Sequence, residues 1–184
     1  MRIAPVPPVY HIPKDKIFEE YYFNMPRSKY LIFLDMDGVI CDFDGRFEEL
    51  IHYTPKEFEY KFGTEAFKKE VLQHGTKFWS EIKWTADGRL LWNYLKKYAP
   101  NILTRPLDPE KSTMGKIEWI YRHLGKNVSF NFAKDKSLYA DITSILIDDN
   151  EENCTAFRKA GGKAILFTNA TDTINILKKV YNLQ

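Results

Sequence analysis

The chain has 184 residues, of which 44% are hydrophobic and 28% charged, with a net charge of +2 at pH 7. This composition is typical of a globular domain with one core, and no apolar run approaches the ~20 residues of a membrane span. A charge so close to zero gives no reason to expect a nucleic-acid groove or binding to an anionic membrane.

The first segment, 1–28, differs from the remainder of the chain, 29–184, in its density of proline. These prolines are Pro5, Pro7, Pro8 and Pro13. Proline prevents both a regular helix and an inner strand, so we expect an extended arm on the surface of the main domain. The alternative is that the arm carries an oligomer contact, as in a homodimer.

Two features bear on the compartment of the protein. The N-terminus lacks the continuous apolar core of a signal peptide. Cys41 and Cys154 each lie in an apolar segment, and two cysteines do not make a disulfide framework, so we expect buried free thiols. Both features predict a cytoplasmic protein.

The run YLIFLDMDGVICDF at 30–43 is the most informative segment. Its apolar part, 31–34, predicts a buried strand, which Gly38 ends directly after Asp35 and Asp37. Two carboxylates at such a turn fall into different environments. This arrangement suits aspartyl-phosphate chemistry, in which one carboxylate attacks phosphorus and a neighbouring acid protonates the departing alcohol. The alternative is an ordinary turn with two acids.

Helices and strands alternate along the rest of the chain. Apolar spacing and end signals such as Pro100 and Gly125 set their limits. The predicted helices cover 44–52, 55–62, 64–73, 86–99, 112–124, a segment that ends at 160, and 171–181. The predicted strands after the first cover 101–104, 128–132, 144–147 and 163–167. This alternation predicts an α/β fold with a parallel sheet and helices on both faces.

The fourth predicted strand also ends in paired acids, Asp148 and Asp149. In parallel sheets, functional groups collect beyond the carboxyl ends of the strands, where the strand order reverses. If the first and fourth strands are neighbours, these acids and Asp35 converge in one crevice. Mg²⁺ prefers carboxylate oxygens together with water and substrate phosphate, so the sequence predicts a magnesium site there.

These motifs together resemble the haloacid dehalogenase (HAD) superfamily of phosphotransferases over about 30–168. The four matching elements are DMDGV at 35–39, Thr104 in NILT, Lys136 in KSLYA, and Asp148 and Asp149 in LIDDN. The resemblance implies a Rossmann-like core whose parallel sheet has the strand order 3-2-1-4-5. It also implies a small helical cap inserted after the first strand, here at about 44–86.

Within that superfamily the chain looks similar to the 5'(3')-deoxyribonucleotidase branch. The similar stretches are DMDGVICDF at 35–43, FWSEIKWTADGRLLWNYL at 78–95 and ILIDDNEENCTAFRKAGGKAIL at 145–166. The chain departs from the branch at Arg105, where a small residue is more common, and a guanidinium there could grip phosphate or narrow the pocket. The spacing before the fourth strand leaves Lys134 as a rival to Lys136.

The resemblance implies a role for each acid. Asp35 is the nucleophile, which nearby Mg²⁺ keeps ionised, and Asp37 is the general acid and then the general base. Asp35, the backbone carbonyl of Asp37 and Asp148 are the implied metal ligands. Asp149 reaches the metal through water or orients Lys136, and its alternative is a helix N-cap.

Two polar groups and four aromatic rings complete the predicted site. Thr104 hydrogen-bonds a phosphate oxygen, and Lys136 neutralises charge on the transferring group. An aromatic set could line a pocket for a flat base, or could instead form the small core of the cap. The set consists of Phe43, Phe78, Trp79 and Trp84.

The sequence therefore predicts a Mg²⁺-dependent phosphomonoesterase that acts through an aspartyl-phosphate intermediate. The expected substrate is a small nucleoside monophosphate. An alternative substrate is another small phosphate ester, such as a sugar phosphate, or the 3'-phosphate end of a polynucleotide. A non-catalytic binding module on the same fold is a further alternative, and the complete set of acids argues against it.

Overall fold

A parallel sheet of five strands forms the centre of the computed structural model, which describes residues 29–184; the predicted arm at 1–28 lies outside the described residues. The strands are β1 (Leu31–Leu34), β2 (Asn101–Thr104), β3 (Phe130–Phe132), β4 (Ser144–Asp148) and β5 (Lys163–Leu166). All neighbours pair in parallel, in the order β3-β2-β1-β4-β5. The predicted parallel sheet and its order are confirmed.

The two central strands, β1 and β4, are apolar because both faces of the sheet are covered. Ile32 and Leu34 belong to the large buried cluster on one face, while Phe33 belongs to the smaller cluster on the other. Leu34 lies opposite Ile147 in the register of the two strands. The residues that follow them therefore leave the sheet side by side, at its carboxyl edge.

Eight α-helices accompany the sheet within the described part of the chain. They are α1 (Phe43–Ile51), α2 (Pro55–Phe62), α3 (Thr64–Gln73), α4 (Thr76–Ser80), α5 (Gly88–Leu95), α6 (Lys111–His123), α7 (Glu151–Lys159) and α8 (Ala170–Tyr181). Six of the seven predicted helices agree with these bounds to within about a residue at each predicted end. In the described range no helix is both long and apolar enough to cross a bilayer.

The differences from the predicted elements are local. The helix predicted at 86–99 ends at Leu95 and continues as a 3₁₀ turn, Lys96–Tyr98, which closes where Ala99 adopts a left-handed conformation (φ 48°). The strand predicted at 128–132 begins only at Phe130. The short helix α4 and a 3₁₀ turn at Lys136–Tyr139 were not predicted, because so few residues show no helical period.

Helices α1–α4 lie between β1 and α5, the position predicted for the helical cap. Phe78 and Trp79 of α4 belong to the same buried cluster as Ile32 of the sheet, so this insertion shares the main core. Helix α4 packs closely on α6 at Gly115, where an added Cβ would lie 2.8 Å from the Cβ of Trp79. The absence of a side chain at Gly115 thus fixes how closely the insertion approaches the core.

We expect Gly115→Ala to lower the free energy of unfolding by about 1–3 kcal/mol, because the added methyl overpacks the contact between α4 and α6. Urea unfolding followed by circular dichroism measures the change. Glu118→Ala, at an exposed position of the same helix, is the matched control and should change stability by no more than about 0.5 kcal/mol. Equal stability of the two variants would contradict the close approach.

Candidate active site

Three carboxylates meet at the carboxyl edge of the central strands. The backbone N–H of Asp35 donates to the carbonyl of Ile147 at 3.0 Å, which extends the pairing of β1 and β4 by one residue. Oxygen atoms of Asp35, Asp148 and Asp149 all lie within 4.8 Å of one another. Asp35 is 7% exposed and Asp148 fully buried. The predicted convergence of Asp148 and Asp149 with Asp35 is therefore found in the structure.

Lys136 lies between two of these carboxylates. Its Nζ is 2.7 Å from Oδ1 of Asp35 and 2.6 Å from Oδ2 of Asp148, and the residue is 3% exposed. The side chain of Asp135 caps the 3₁₀ turn that carries this lysine. The rival, Lys134, is exposed at the wall of the cleft. Burial and two ion pairs distinguish Lys136 from the neighbour that sequence spacing left open.

Burial shifts the pKa values of the acids at this site upward. Burial, partly offset by the charge of Lys136 and reinforced by Asp148 and Asp37, raises the pKa of Asp35 to about 6. Burial and the charges of Asp35 and Asp148 raise the pKa of Asp149 to about 7. Burial by itself lowers the pKa of Lys136, but the two carboxylates beside it outweigh burial and raise that pKa overall. The negative charge of these acids therefore exceeds the positive charge of Lys136.

Hydrogen bonds orient the buried carboxylate of Asp148. The backbone N–H of Asn150 donates to its Oδ1 at 2.9 Å, and Nδ2 of Asn153 donates to both oxygens at 3.1 and 3.2 Å. Asn150 is also the N-cap of α7, since its side chain accepts from the N–H of Asn153. The N-cap role considered for Asp149 therefore belongs to Asn150.

The turn after β1 depends on Gly38, whose φ is +75°. A Cβ at this position would overlap the carboxylate of Asp149. The N–H of Gly38 donates to the carbonyl of Cys41 at 2.9 Å and closes the turn. A glycine is thus required both by the left-handed backbone and by the close approach of an acid from the next strand.

A second lysine, Lys116 of α6, reaches the site from the other side. Its Nζ donates to Oδ2 of Asp37 at 2.5 Å and to Oγ1 of Thr104 at 2.9 Å, and the residue is 1% exposed. Oδ1 of Asp37 is buried and has no hydrogen-bond partner within 29–184. Lys116 was not predicted as a site residue from the sequence. Its signal was a lysine four residues before Ile120, within the apolar stripe of α6.

The site opens into a cleft of about 590 Å³. Seven of the predicted site residues line it: Asp35, Asp37, Phe43, Thr104, Arg105, Lys136 and Asp149. Asp148 does not line the cleft; it is the fully buried member of the cluster of three carboxylates formed with Asp35 and Asp149. Acids at the mouth that the sequence analysis did not assign to the site include Asp42, Asp44 and Glu152.

The four predicted aromatic residues separate in the structure. Phe43 lines the cleft, and its ring centroid lies 5.2 Å from that of Phe78, which supports it from behind. Phe78 and Trp79 are 0% and 2% exposed, so their prediction as substrate contacts is wrong and the alternative of a core role applies. Trp84 lines a different concavity, whereas Thr85, the next residue in sequence, lines the cleft.

The cluster of three carboxylates fits a divalent cation. Asp35, Asp148 and Asp149 offer hard oxygen ligands within a few ångströms of one another, the donor set that Mg²⁺ prefers. A cation between them would offset the repulsion that, with burial, raises the pKa values of Asp35 and Asp149. These three residues are the ones that would hold the metal. The backbone carbonyl of Asp37 stays a predicted ligand.

A scan against protein-family models finds no match for this chain, and a search of curated proteins finds none either. The solved structures include similar chains. A HAD-family enzyme from Bacteroides thetaiotaomicron, in a magnesium complex, shares 13% identity over 83% of this chain and 100% of that one, with a TM-score of 0.49.

Two further solved structures are similar to about the same degree. A hydrolase from Streptococcus pneumoniae shares 13% identity over 82% of this chain and 99% of that one (TM-score 0.47). A candidate beta-phosphoglucomutase from Thermotoga maritima shares 16% over the same proportions (TM-score 0.48). At these identities and TM-scores, none of the three assigns an activity to this chain, and the functional conclusion depends on the geometry of the site.

We expect Mg²⁺ to bind at least about tenfold more weakly at pH 5.5 than at pH 7.5. The reason is that Asp35 and Asp149, with pKa values of about 6 and 7, must lose protons to bind the metal. Isothermal titration calorimetry at pH 6.5, in two buffers with different ionisation enthalpies, measures the protons released. Asp149→Asn should release fewer protons than the unmodified protein. Affinity independent of pH, or proton uptake on binding, would contradict this assignment.

Proposed function

We propose that this protein is a Mg²⁺-dependent phosphomonoesterase of the HAD superfamily, that it acts through a phosphorylated Asp35, and that its substrate is a nucleoside monophosphate. The observation that carries the proposal is the pairing of each of the two proposed reacting acids with a buried lysine. Lys136 contacts Asp35, and Lys116 contacts Asp37. A structural turn with two acids would not need two buried cations, each of which is costly to desolvate.

In this proposal, Asp35 attacks phosphorus. It lies at the floor of the cleft, and Lys136 fixes one of its carboxylate oxygens. Bound Mg²⁺ would stabilise negative charge on the phosphate oxygens. Lys136 supplies a further fixed positive charge where the transferring group would lie, and such charge favours the transition state because it needs no rearrangement.

Asp37 has one oxygen held and one free, the arrangement needed by a group that gives and takes a proton. Lys116 binds Oδ2, while Oδ1 has no hydrogen-bond partner in the described residues. Protonated at this free oxygen, Asp37 can donate to the leaving ester oxygen. It can then accept a proton from the water that hydrolyses phospho-Asp35.

In this proposal, Thr104, which lines the cleft, donates a hydrogen bond to a phosphate oxygen. Its Oγ1 accepts from Lys116 at 2.9 Å, so its own O–H remains available for a phosphate oxygen. Lys116 thus positions two side chains at once, the general acid and a phosphate donor. Lys116 therefore takes part in the proposed mechanism together with the residues predicted from the sequence.

The proposal of a nucleotide substrate is supported by Phe43 and Arg105 in the wall of the cleft. The ring of Phe43 is half-buried and packs against Phe67 and Phe78, with centroids 6.3 and 5.2 Å away. A ring fixed in this way can stack on a nucleobase without first being ordered. Because Phe78, Trp79 and Trp84 do not line the cleft, Phe43 is the one aromatic residue among the described residues that could stack on a base there.

The direct test of the proposed function is phosphate release from a panel of nucleoside monophosphates, sugar phosphates and p-nitrophenyl phosphate, with and without Mg²⁺. Asp35→Asn should reduce Mg²⁺-dependent release at least about a thousandfold, because an amide is not an anionic nucleophile. Asp172→Asn, at an exposed position of α8, is the control and should retain activity. Near-normal release by folded Asp35→Asn would rule out this nucleophile. Faster release from sugar phosphates than from nucleotides would rule out the nucleotide substrate and leave the phosphatase chemistry standing.

We expect Lys116→Met to lower kcat at least about tenfold with a smaller effect on KM, because Asp37 and Thr104 lose the group that orients them. Steady-state kinetics on the best substrate of the panel gives both constants. Lys111→Met, at an exposed position at the start of α6, serves as the matched control. An equal, small effect of both substitutions would remove Lys116 from the mechanism.

We expect Phe43→Ala to raise KM for nucleoside monophosphates by roughly one to two powers of ten, from about 1–3 kcal/mol of lost stacking. The KM for p-nitrophenyl phosphate should change little if that ester does not use this ring. Kinetics on both substrates with one enzyme preparation makes the comparison. Equal losses on the two substrates would show that Phe43 only holds the insertion in place.

A further inference from the structure

A second concavity, of about 520 Å³, lies behind the wall of the active cleft. We call it the Trp84 pocket; its polar and aromatic lining includes Lys83, Trp84, Arg89, Arg122 and His123. It is distinct from the active cleft, because the adjacent residues Trp84 and Thr85 line different cavities. Its volume is in the range of pockets that hold small organic ligands, roughly 300–1,000 Å³.

The Trp84 pocket carries positive charge that the described residues do not neutralise. Glu81, an acid in its wall, pairs with Arg46 at 2.9 Å, and Lys83 pairs with Glu49 at 3.2 Å. Within 29–184, neither Arg89 nor Arg122 has a carboxylate within ion-pair distance. Two guanidinium groups are therefore free to bind an anion.

The guanidinium groups are held in place by contacts that leave donors unused. Nη1 of Arg122 donates to the carbonyl of Ser80 at 2.8 Å, which occupies one of its five N–H groups. Arg89 lies over the ring of Trp84, with Cζ 5.7 Å from the centroid. Burial and the positive charges of Arg122 and Arg89 lower the pKa of His123, in keeping with this excess of positive charge.

The aromatic part of the Trp84 pocket is also fixed. The ring of Trp84 lies 4.9 Å from Trp119, whose Nε1 donates to the carbonyl of Ile82 at 2.8 Å. His123 packs on both indoles, at 5.9 and 4.7 Å. Trp84 itself is half-exposed, so part of its surface faces the cavity. The part of this indole that Arg89, Trp119 and His123 leave uncovered offers a surface for a flat ring at little entropic cost.

We propose that the Trp84 pocket binds an aromatic anion of nucleotide size, with its phosphate groups on Arg89 and Arg122 and its planar ring against Trp84. A small ligand fits better than a nucleic acid, because the positive groups surround one cavity and do not extend along a stripe. The site does not use any residue of the active cleft. Its occupation is therefore independent of the proposed phosphatase activity.

The test uses ADP as the probe, titrated by calorimetry into the protein without Mg²⁺. Without Mg²⁺, the carboxylates of the active cleft repel a phosphate group, so we expect one ADP per chain, bound in the Trp84 pocket. Its affinity should fall at least about tenfold in both Arg89→Gln and Arg122→Gln. Lys69→Gln, which removes one charge from a surface groove without aromatic residues, is the matched control and should bind as the unmodified protein does. Arg105→Gln reports on the active cleft and should also bind ADP normally.

Four results would overturn the proposal. The first is no ADP binding at millimolar concentration. The second is an affinity loss in Arg105→Gln without one in Arg89→Gln and Arg122→Gln, which would put ADP in the active cleft. The third is a similar loss in Lys69→Gln, which would show unspecific attraction. Pyrophosphate, which lacks a ring, should bind about tenfold more weakly than ADP, and equal affinity, the fourth result, would exclude the contact with Trp84.

Discussion

The contact of Lys136 with both Asp35 and Asp148, at 2.7 and 2.6 Å, is the interaction on which the site depends. The pairing of β1 and β4 brings two carboxylates to adjacent strand ends, where burial would otherwise drive one of them to take up a proton. A single ammonium group between them offsets this repulsion and fixes one oxygen of each. Removing that group would leave two buried acids without a common partner, which is a far larger cost than losing a surface ion pair.

The charges at the floor of the site support the proposed Mg²⁺ site. Within 29–184, two buried lysines, Lys116 and Lys136, lie beside the four acids Asp35, Asp37, Asp148 and Asp149. When all four acids are ionised, the formal deficit is two positive charges, which equals the charge of Mg²⁺. The raised pKa values of Asp35 and Asp149 express the same deficit, since protons take up part of it in the absence of a cation. The proposed binding of Mg²⁺ would therefore release protons, because cation and protons compensate the same excess of negative charge.

Much of this arrangement could be predicted from the sequence, because strands that end in acids carry a local signal. The apolar runs before Asp35 and Asp148 predicted two buried strands, and their neighbouring positions in the sheet brought the acids together. The role of Lys116 could not be predicted, because a single lysine on a helix belongs to no recognisable motif. Its role arises only when α6 packs against the turn after β1. The choice of Lys136 over Lys134 likewise required burial, which residue spacing does not report.

The roles of the aromatic residues could not be predicted from the sequence. An aromatic-rich insertion predicts a small core and a stacking surface equally well, and only the packing decides which ring is open. Phe78 and Trp79 fill the space between α4 and the sheet, whereas Phe43 remains at the cleft. In an extended segment, successive side chains point to opposite sides, so Trp84 and Thr85 line separate cavities.

The central claim is that Asp35 becomes phosphorylated, and mass spectrometry after rapid acid quenching tests it most directly. The measurement uses Asp37→Asn with Mg²⁺ and p-nitrophenyl phosphate, whose leaving group departs without a general acid while hydrolysis of the intermediate is slowed. We predict that the peptide containing Asp35 gains the mass of one phosphoryl group at a rate that matches the first release of p-nitrophenol. Release of p-nitrophenol with no adduct on any peptide, or with the adduct on a residue other than Asp35, would contradict the account.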